Sequence, residues 1–152
     1  MPDQFTRRIF LALGLPAFLA ACGSPVAVSA PVTGETPEMD RLVNKYAAIY
    51  QIPASRIHRE IRRESGYTAR ARHGPYYGLM QILPTTARTM GYNGPASGLL
   101  NAETNLIYAG RYLRGAWLVS GGSQDRAVYW YAHGYYYEAK RRGLLQETGL
   151  RA

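Results

Sequence analysis

Ile57-His58-Arg59-Glu60-Ile61-Arg62-Arg63-Glu64-Ser65-Gly66 is the stretch on which the reading of this chain turns. Ile57, Ile61 and Glu64 stand at i, i+4 and i+7, one stripe of an α-helix that should face a core. The last member of that stripe is a carboxylate where an aliphatic residue is called for. Gly66 predicts the helix end, which puts Glu64 in the final turn, near the negative pole of the helix dipole. Apolar surroundings and that dipole both disfavour the charged form, so both push the carboxyl pKa up. A carboxyl kept protonated near neutral pH can serve as a general acid. Out of context the same residue reads as a partly exposed Glu paired with an arginine such as Arg63. The helix alone does not decide between the two.

The chain has 152 residues, enough for one domain with a real core. It carries 18 Lys and Arg against 10 Asp and Glu, for a net charge of +8. Lys45 and Lys140 are the lysines; every other cation is Arg. Such a balance suits an anionic partner: nucleic acid, an anionic membrane, or a carboxylate-bearing cell-wall glycan. Thirteen Tyr fit base stacking and sugar stacking equally, so composition does not choose. Cys22 is the single cysteine, which rules out an intrachain disulfide.

Residues 1–22 read as an export signal. Arg7 and Arg8 form a basic start, and Ile9 to Ala21 is apolar but too short for a stable membrane span. Leu19-Ala20-Ala21-Cys22 resembles the lipobox of bacterial lipoproteins, in which the Cys is lipidated and becomes the first mature residue. Thr6-Arg7-Arg8-Ile9-Phe10-Leu11 also looks like a twin-arginine signal, and the route of export stays open. Gly23 after the Cys, where an Asp resembles an inner-membrane retention signal, points to a periplasmic protein anchored in the outer membrane. Residues 23–38 lack periodicity and are expected to be a flexible tether. The folded domain is expected over residues 39–150.

Thr36-Pro37-Glu38 predicts a capped helix start, with a helix to about Tyr50 whose inner side carries Leu42, Val43, Tyr46, Ile49 and Tyr50. Pro53 breaks the chain, and Ser55 is expected to cap the Glu64 helix. Tyr67 to Tyr77 reads as a loop turning at Gly74-Pro75. A short helix over Pro84 to Met90 follows, then a loop to Leu100. Asn101 predicts the cap of a longer helix to about Val119, with Leu106, Ile107, Gly110 and Leu113 on one face. Ser123 predicts a helix to about Tyr131, and Glu138 to Arg142 a last one. No strand pattern, repeat, metal-ligand cluster or phosphate-binding loop stands out.

Glu64-Ser65, then Gly78-Leu79-Met80-Gln81, then Pro84-Thr85-Thr86-Ala87, then Asn105 with Tyr112-Leu113, resemble in order the soluble lytic transglycosylase (SLT) domain, a relative of goose-type lysozyme. The resemblance covers roughly Met39 to Lys140. It implies a mainly α, lysozyme-like fold with a groove for peptidoglycan; no cofactor or metal is expected. It also implies non-hydrolytic cleavage of the β-1,4 bond from N-acetylmuramic acid to N-acetylglucosamine, leaving a 1,6-anhydro sugar. Glu64 would be the catalytic acid and then base. Most glycosidases use two carboxylates; here the muramyl C6 hydroxyl is the nucleophile, and no Asp lies between Arg41 and Asp125.

By the same resemblance Ser65 would bond near the acid or to substrate, and Gly78 would permit close backbone approach. Met80 and Gln81 would line the groove, with core packing the other reading for Met80. Tyr131 would lie near the acid, and Asn105 and Tyr112 would be mainly structural. The family pattern Ala-Tyr-Asn-x-Gly is here Tyr131-Ala132-His133-Gly134 preceded by Trp130, so Ala132 stands in place of the Asn. His133 is a candidate for the missing polar contact.

The expected partners are peptidoglycan strands and, through lipidated Cys22, a membrane; the protein is expected to be a monomer. A water-using muramidase and a non-catalytic peptidoglycan-binding lipoprotein remain open alternatives. Nucleic-acid binding rests on charge and Tyr content alone, and the export signal argues against it.

Overall fold

The computed structural model describes residues 34–150. The export signal, Cys22 and most of the expected tether lie outside the described residues. Helix α1 spans Pro37–Tyr50. The Thr36 hydroxyl accepts from the Met39 N–H, Pro37 opens the helix, and Gln51 closes it in the left-handed region. Its buried stripe is Met39, Val43, Tyr46 and Ala47. Leu42 and Tyr50 pack at its margin, but Ile49 lies off it and is 57% exposed, contrary to expectation.

Helix α2 spans Ala54–Ser65 and ends at Gly66, whose φ of 56° supplies the left-handed cap. Pro53, not Ser55, occupies the N-cap position. Ser55 sits one residue inside the helix, and the Arg56 N–H bonds the Pro53 carbonyl instead. Ile57 and Ile61 are fully buried as expected. So, unexpectedly, are Arg56 and Glu60.

The segment read as a loop contains a minimal hairpin. Strands β1 (Arg72–His73) and β2 (Tyr76–Tyr77) pair antiparallel with Arg72 opposite Tyr77. Helix α3 is Pro84–Thr89, and a 3-10 helix covers Ala96–Leu100 within the second expected loop.

Helix α4, Ala102–Ser120, is the axle of the domain. The Asn101 side chain caps it by accepting from the Thr104 N–H. Leu106, Ala109, Leu113, Ala116 and Val119 are all fully buried, while Ile107 is only partly so. Helices α1, α3, the 3-10 helix and α5 (Gln124–His133, capped by Ser123) all pack on it. Helix α6, Tyr136–Arg142, starts earlier than expected and closes the bundle through Tyr135, whose hydroxyl donates to the Tyr112 carbonyl. The fold is thus mainly α, with a two-stranded hairpin as its one sheet among the described residues.

Candidate active site

Glu64 sits in the last turn of α2 with its side chain 22% exposed. Burial pushes its carboxyl above its usual value, against the opposing influence of Arg63 and His73. The Arg63 Nε lies 3.4 Å from Glu64 Oε1. Both readings of this residue are therefore physically present: a half-sheltered acid and an arginine contact.

Ser65 Oγ donates to the Leu79 carbonyl at 2.7 Å, which joins the end of α2 to the segment Gly78-Leu79-Met80-Gln81. That segment has no regular ladder, so its polar groups need other partners. Side chains supply them. Asn105, fully buried in α4, accepts from the Met80 N–H at 2.9 Å and donates to the carbonyls of Tyr77 and Leu99. The Tyr131 hydroxyl, from α5, donates to the Met80 carbonyl at 2.8 Å. Gly78 has φ 77°, and a Cβ there would strike the Asn105 side chain and the Leu99 carbonyl. Only glycine lets Asn105 reach both.

Gln81 adopts φ 46°, a left-handed conformation that side-chain-bearing residues seldom take. Its own amide compensates. Nε2 donates to the carbonyls of Gly78 and Ala71, and Oε1 accepts from the His73 N–H. Both amide hydrogens are engaged inside the loop, so a ligand would meet Gln81 at Oε1.

A cleft of about 250 Å³ opens beside this segment. Gln81, Ile82 and Thr86 line it, as do Tyr131, Ala132 and His133. None of the residues around it is a carboxylate. Glu64 is not among them; its neighbour Ser65 is tied to the Leu79 carbonyl, and its charge acts on Tyr131, which does line the cleft. Burial, helped by the nearby Glu64 charge, pushes the Tyr131 phenol well above its usual pKa, so it remains a donor to Met80. The His133 Nδ1 donates to the Tyr129 carbonyl at 2.8 Å, and its ring stacks on Tyr129 at 4.3 Å. The backbone bond occupies one ring nitrogen, and Nε2 has no hydrogen-bond partner among the described residues.

The structure therefore brings Glu64, Ser65, Gln81 and Tyr131 around one loop. Gly78 and Met80 stand behind the wall. Met80 has no exposed surface, so the expectation that its side chain lines the groove is corrected: it packs in the core and contributes its backbone N–H and C=O. Asn105 has the structural place expected of it. Tyr112 packs edge-on against Tyr131 and also borders the cleft.

The sequence reading missed the Arg56–Glu60 pair, which is fully buried and ion-paired within α2. Its signal was available: Arg56 and Glu60 are spaced i, i+4 on the face that carries Ile57 and Ile61. Burial, with Arg59 and Arg63 nearby, lowers the Arg56 pKa to about 10. Glu35, Asp40 and His58 could bring ligand atoms within 4.8 Å of one another. Glu35 faces Arg62 and His58 bonds the Tyr67 hydroxyl, and none of the three borders the cleft.

The helical domain holds a sheltered acid near a cleft, with a Gly-Leu-Met-Gln segment clamped between helices. Residues 41–146 match the family described as "Transglycosylase SLT domain", and the chain belongs to that family. No solved structure gives a significant match. The family is one of transglycosylase-type enzymes acting on peptidoglycan.

Asn105→Ala removes three hydrogen bonds, two of them buried, and takes their side-chain partner from the Met80 N–H and the Leu99 carbonyl, while the Tyr77 carbonyl keeps the Ile82 N–H. The expected loss of stability is about 2–4 kcal/mol in urea unfolding, with little change in the slope against denaturant.

Proposed function

We propose that this chain is a lytic transglycosylase that cleaves the bond from N-acetylmuramic acid to N-acetylglucosamine in peptidoglycan and leaves a 1,6-anhydromuramyl end. One observation carries this reading. Glu64 is the sheltered carboxyl at the loop that walls the cleft, and its pKa is raised by burial. The neighbouring carboxylate one turn earlier, Glu60, is sealed in the core against Arg56. A two-carboxylate hydrolysis would need a second acid that can reach substrate or water.

The steps balance with Glu64 alone. Its proton goes to the glycosidic oxygen as the C1–O bond breaks. The muramyl C6 hydroxyl oxygen bonds to C1, and the carboxylate of Glu64 takes the hydroxyl proton. Glu64 ends protonated, as it began. Tyr131 stays neutral and holds the Met80 carbonyl; Gln81 Oε1, which already accepts from the His73 N–H, keeps a second lone pair for an acetamido N–H.

The rest of the chain fits delivery to the wall. We read residues 1–22 as a lipoprotein export signal, Cys22 as the lipidated residue, and the anchor as lying in the outer membrane facing the periplasm. More than one acyl chain is needed for stable anchoring. Incorporation of labelled fatty acid into the full chain, and its loss in Cys22→Ser, would support the anchor; equal labelling of both would remove it.

Glu64→Gln keeps the shape and removes the proton. Release of soluble muropeptides from purified sacculi should fall by about 10²–10⁴-fold. The wild-type products should carry anhydro ends by mass spectrometry. Reducing muramic ends would instead mean hydrolysis, and equal release by wild type and variant would mean that Glu64 is not the acid.

The pH dependence follows from the raised carboxyl. The acid form is needed, so the rate should fall as pH rises through the folded Glu64 pKa. The same shift has a stability sign. A group whose pKa is raised on folding supports the fold below its unfolded pKa, and that support is lost as pH rises through the folded value. Glu64→Gln should therefore gain stability over wild type at neutral pH and lose that gain in acid, measured by thermal unfolding across pH.

A further inference from the structure

Arg56, Glu60 and Glu64 stand at i, i+4 and i+8, a single file along α2. The first two are fully buried and ion-paired through Arg56 Nη2 and Glu60 Oε2. Arg56 Nε and Nη1 and Glu60 Oε1 find no hydrogen-bond partner among the described residues. A buried pair with unmet valences is a weak way to stabilise a helix, because desolvation offsets the attraction. Its geometry suggests a different use.

Arg63 is half-exposed and lies between two carboxylates. Its Nη1 is 3.9 Å from Glu60 Oε1, and its Nε is 3.4 Å from Glu64 Oε1. The other outward arginines of α2 are engaged elsewhere: Arg59 with Asp125 at 2.8 Å and Arg62 with Glu35 at 3.5 Å. Glu64 is also faced by His73 from the hairpin and by Tyr131 from α5.

We propose that Arg56 and Glu60 are positioning residues for Glu64: the buried Glu60 carboxylate, fixed by Arg56, detains the Arg63 guanidinium and keeps it from closing on the acid. This rests on the reading of Glu64 as the general acid. A guanidinium free to pair bidentately with Glu64 would hold it ionised, which a proton donor cannot tolerate. Shared with Glu60, Arg63 stays at the edge of Glu64.

The test is a ¹³C NMR titration of the Glu64 carboxyl in the full chain, run beside the pH–rate profile on sacculi. Arg63→Gln should raise the Glu64 midpoint by about one pH unit and carry the alkaline limb of the profile with it. Glu60→Gln should lower both. That variant leaves Arg56 buried without a counter-charge, so Arg56→Met/Glu60→Leu, which replaces the pair by apolar side chains, repeats the measurement in a core that remains compensated. It should fold and show the lowered midpoint. In an Arg63→Gln background the same pair replacement should move the midpoint much less than it does alone, since the arginine it releases is gone.

A Glu64 midpoint that stays put in Arg63→Gln or in the pair replacement overturns the proposal. So does failure of the pair replacement to fold, which would assign the pair to the core instead. Midpoints that move as expected while the rate profile stays fixed keep the positioning and overturn the assignment of Glu64 as the acid.

Discussion

The structure depends on how the peptide groups around Met80 are gripped. Asn105 of α4 takes the N–H and Tyr131 of α5 takes the C=O. Ser65 at the end of α2 holds the preceding carbonyl, that of Leu79. A tetrapeptide with no ladder of its own is therefore registered against three helices at once. Removing any grip would strand a backbone group where water cannot replace the partner. Leu79 and Met80 add the apolar half of the lock by filling the core beneath. The acid at the end of α2 and the cleft wall at Gln81 are fixed relative to each other by these contacts, and not by the length or stiffness of the connecting loop. Such fixing is what a positioned proton donor requires.

The environment of Glu64 is a balance and not a simple burial. Desolvation raises its pKa, while Arg63 and His73 draw it back. Tyr131 reports the same neighbourhood from the other side, since the Glu64 charge helps keep its phenol protonated. The wall beyond Tyr131 departs from the family pattern at Ala132, which offers no polar side chain. His133 borders the cleft next to it, with its ring held by the Tyr129 carbonyl and by stacking on Tyr129.

Much of the fold was legible because its determinants are local. Thr36-Pro37, Gly66, Asn101 and Ser123 mark helix ends through bonds or backbone angles that involve a few consecutive residues. Ser55 misled because a preceding proline can open a helix without a side-chain cap. Ile49 misled because its neighbours Met39, Val43, Tyr46 and Ala47 already complete the buried stripe. The hairpin at Arg72–Tyr77 is too short to carry an alternating pattern. In the site, Glu64 was readable as an acid out of place on an apolar stripe. Met80 was not, because a motif says which residues recur and not which way each one faces. Arg56 and Glu60 were not legible because charged side chains mostly lie on the outer face of a helix. Two opposite charges at i, i+4 can satisfy each other inside, and here the inner face runs 56, 57, 60, 61.

That pair also shapes how the lineage of this protein can change. A descendant that loses Arg56 first inherits a bare carboxylate in its core, and one that loses Glu60 first inherits a bare guanidinium. Either intermediate is costlier than the starting point, although the end point with two apolar residues need not be. Substitution one codon at a time therefore meets a barrier on both routes. The two positions are expected to persist or vanish together, so that Arg56 and Glu60 behave in descent as one inherited character two residues wide.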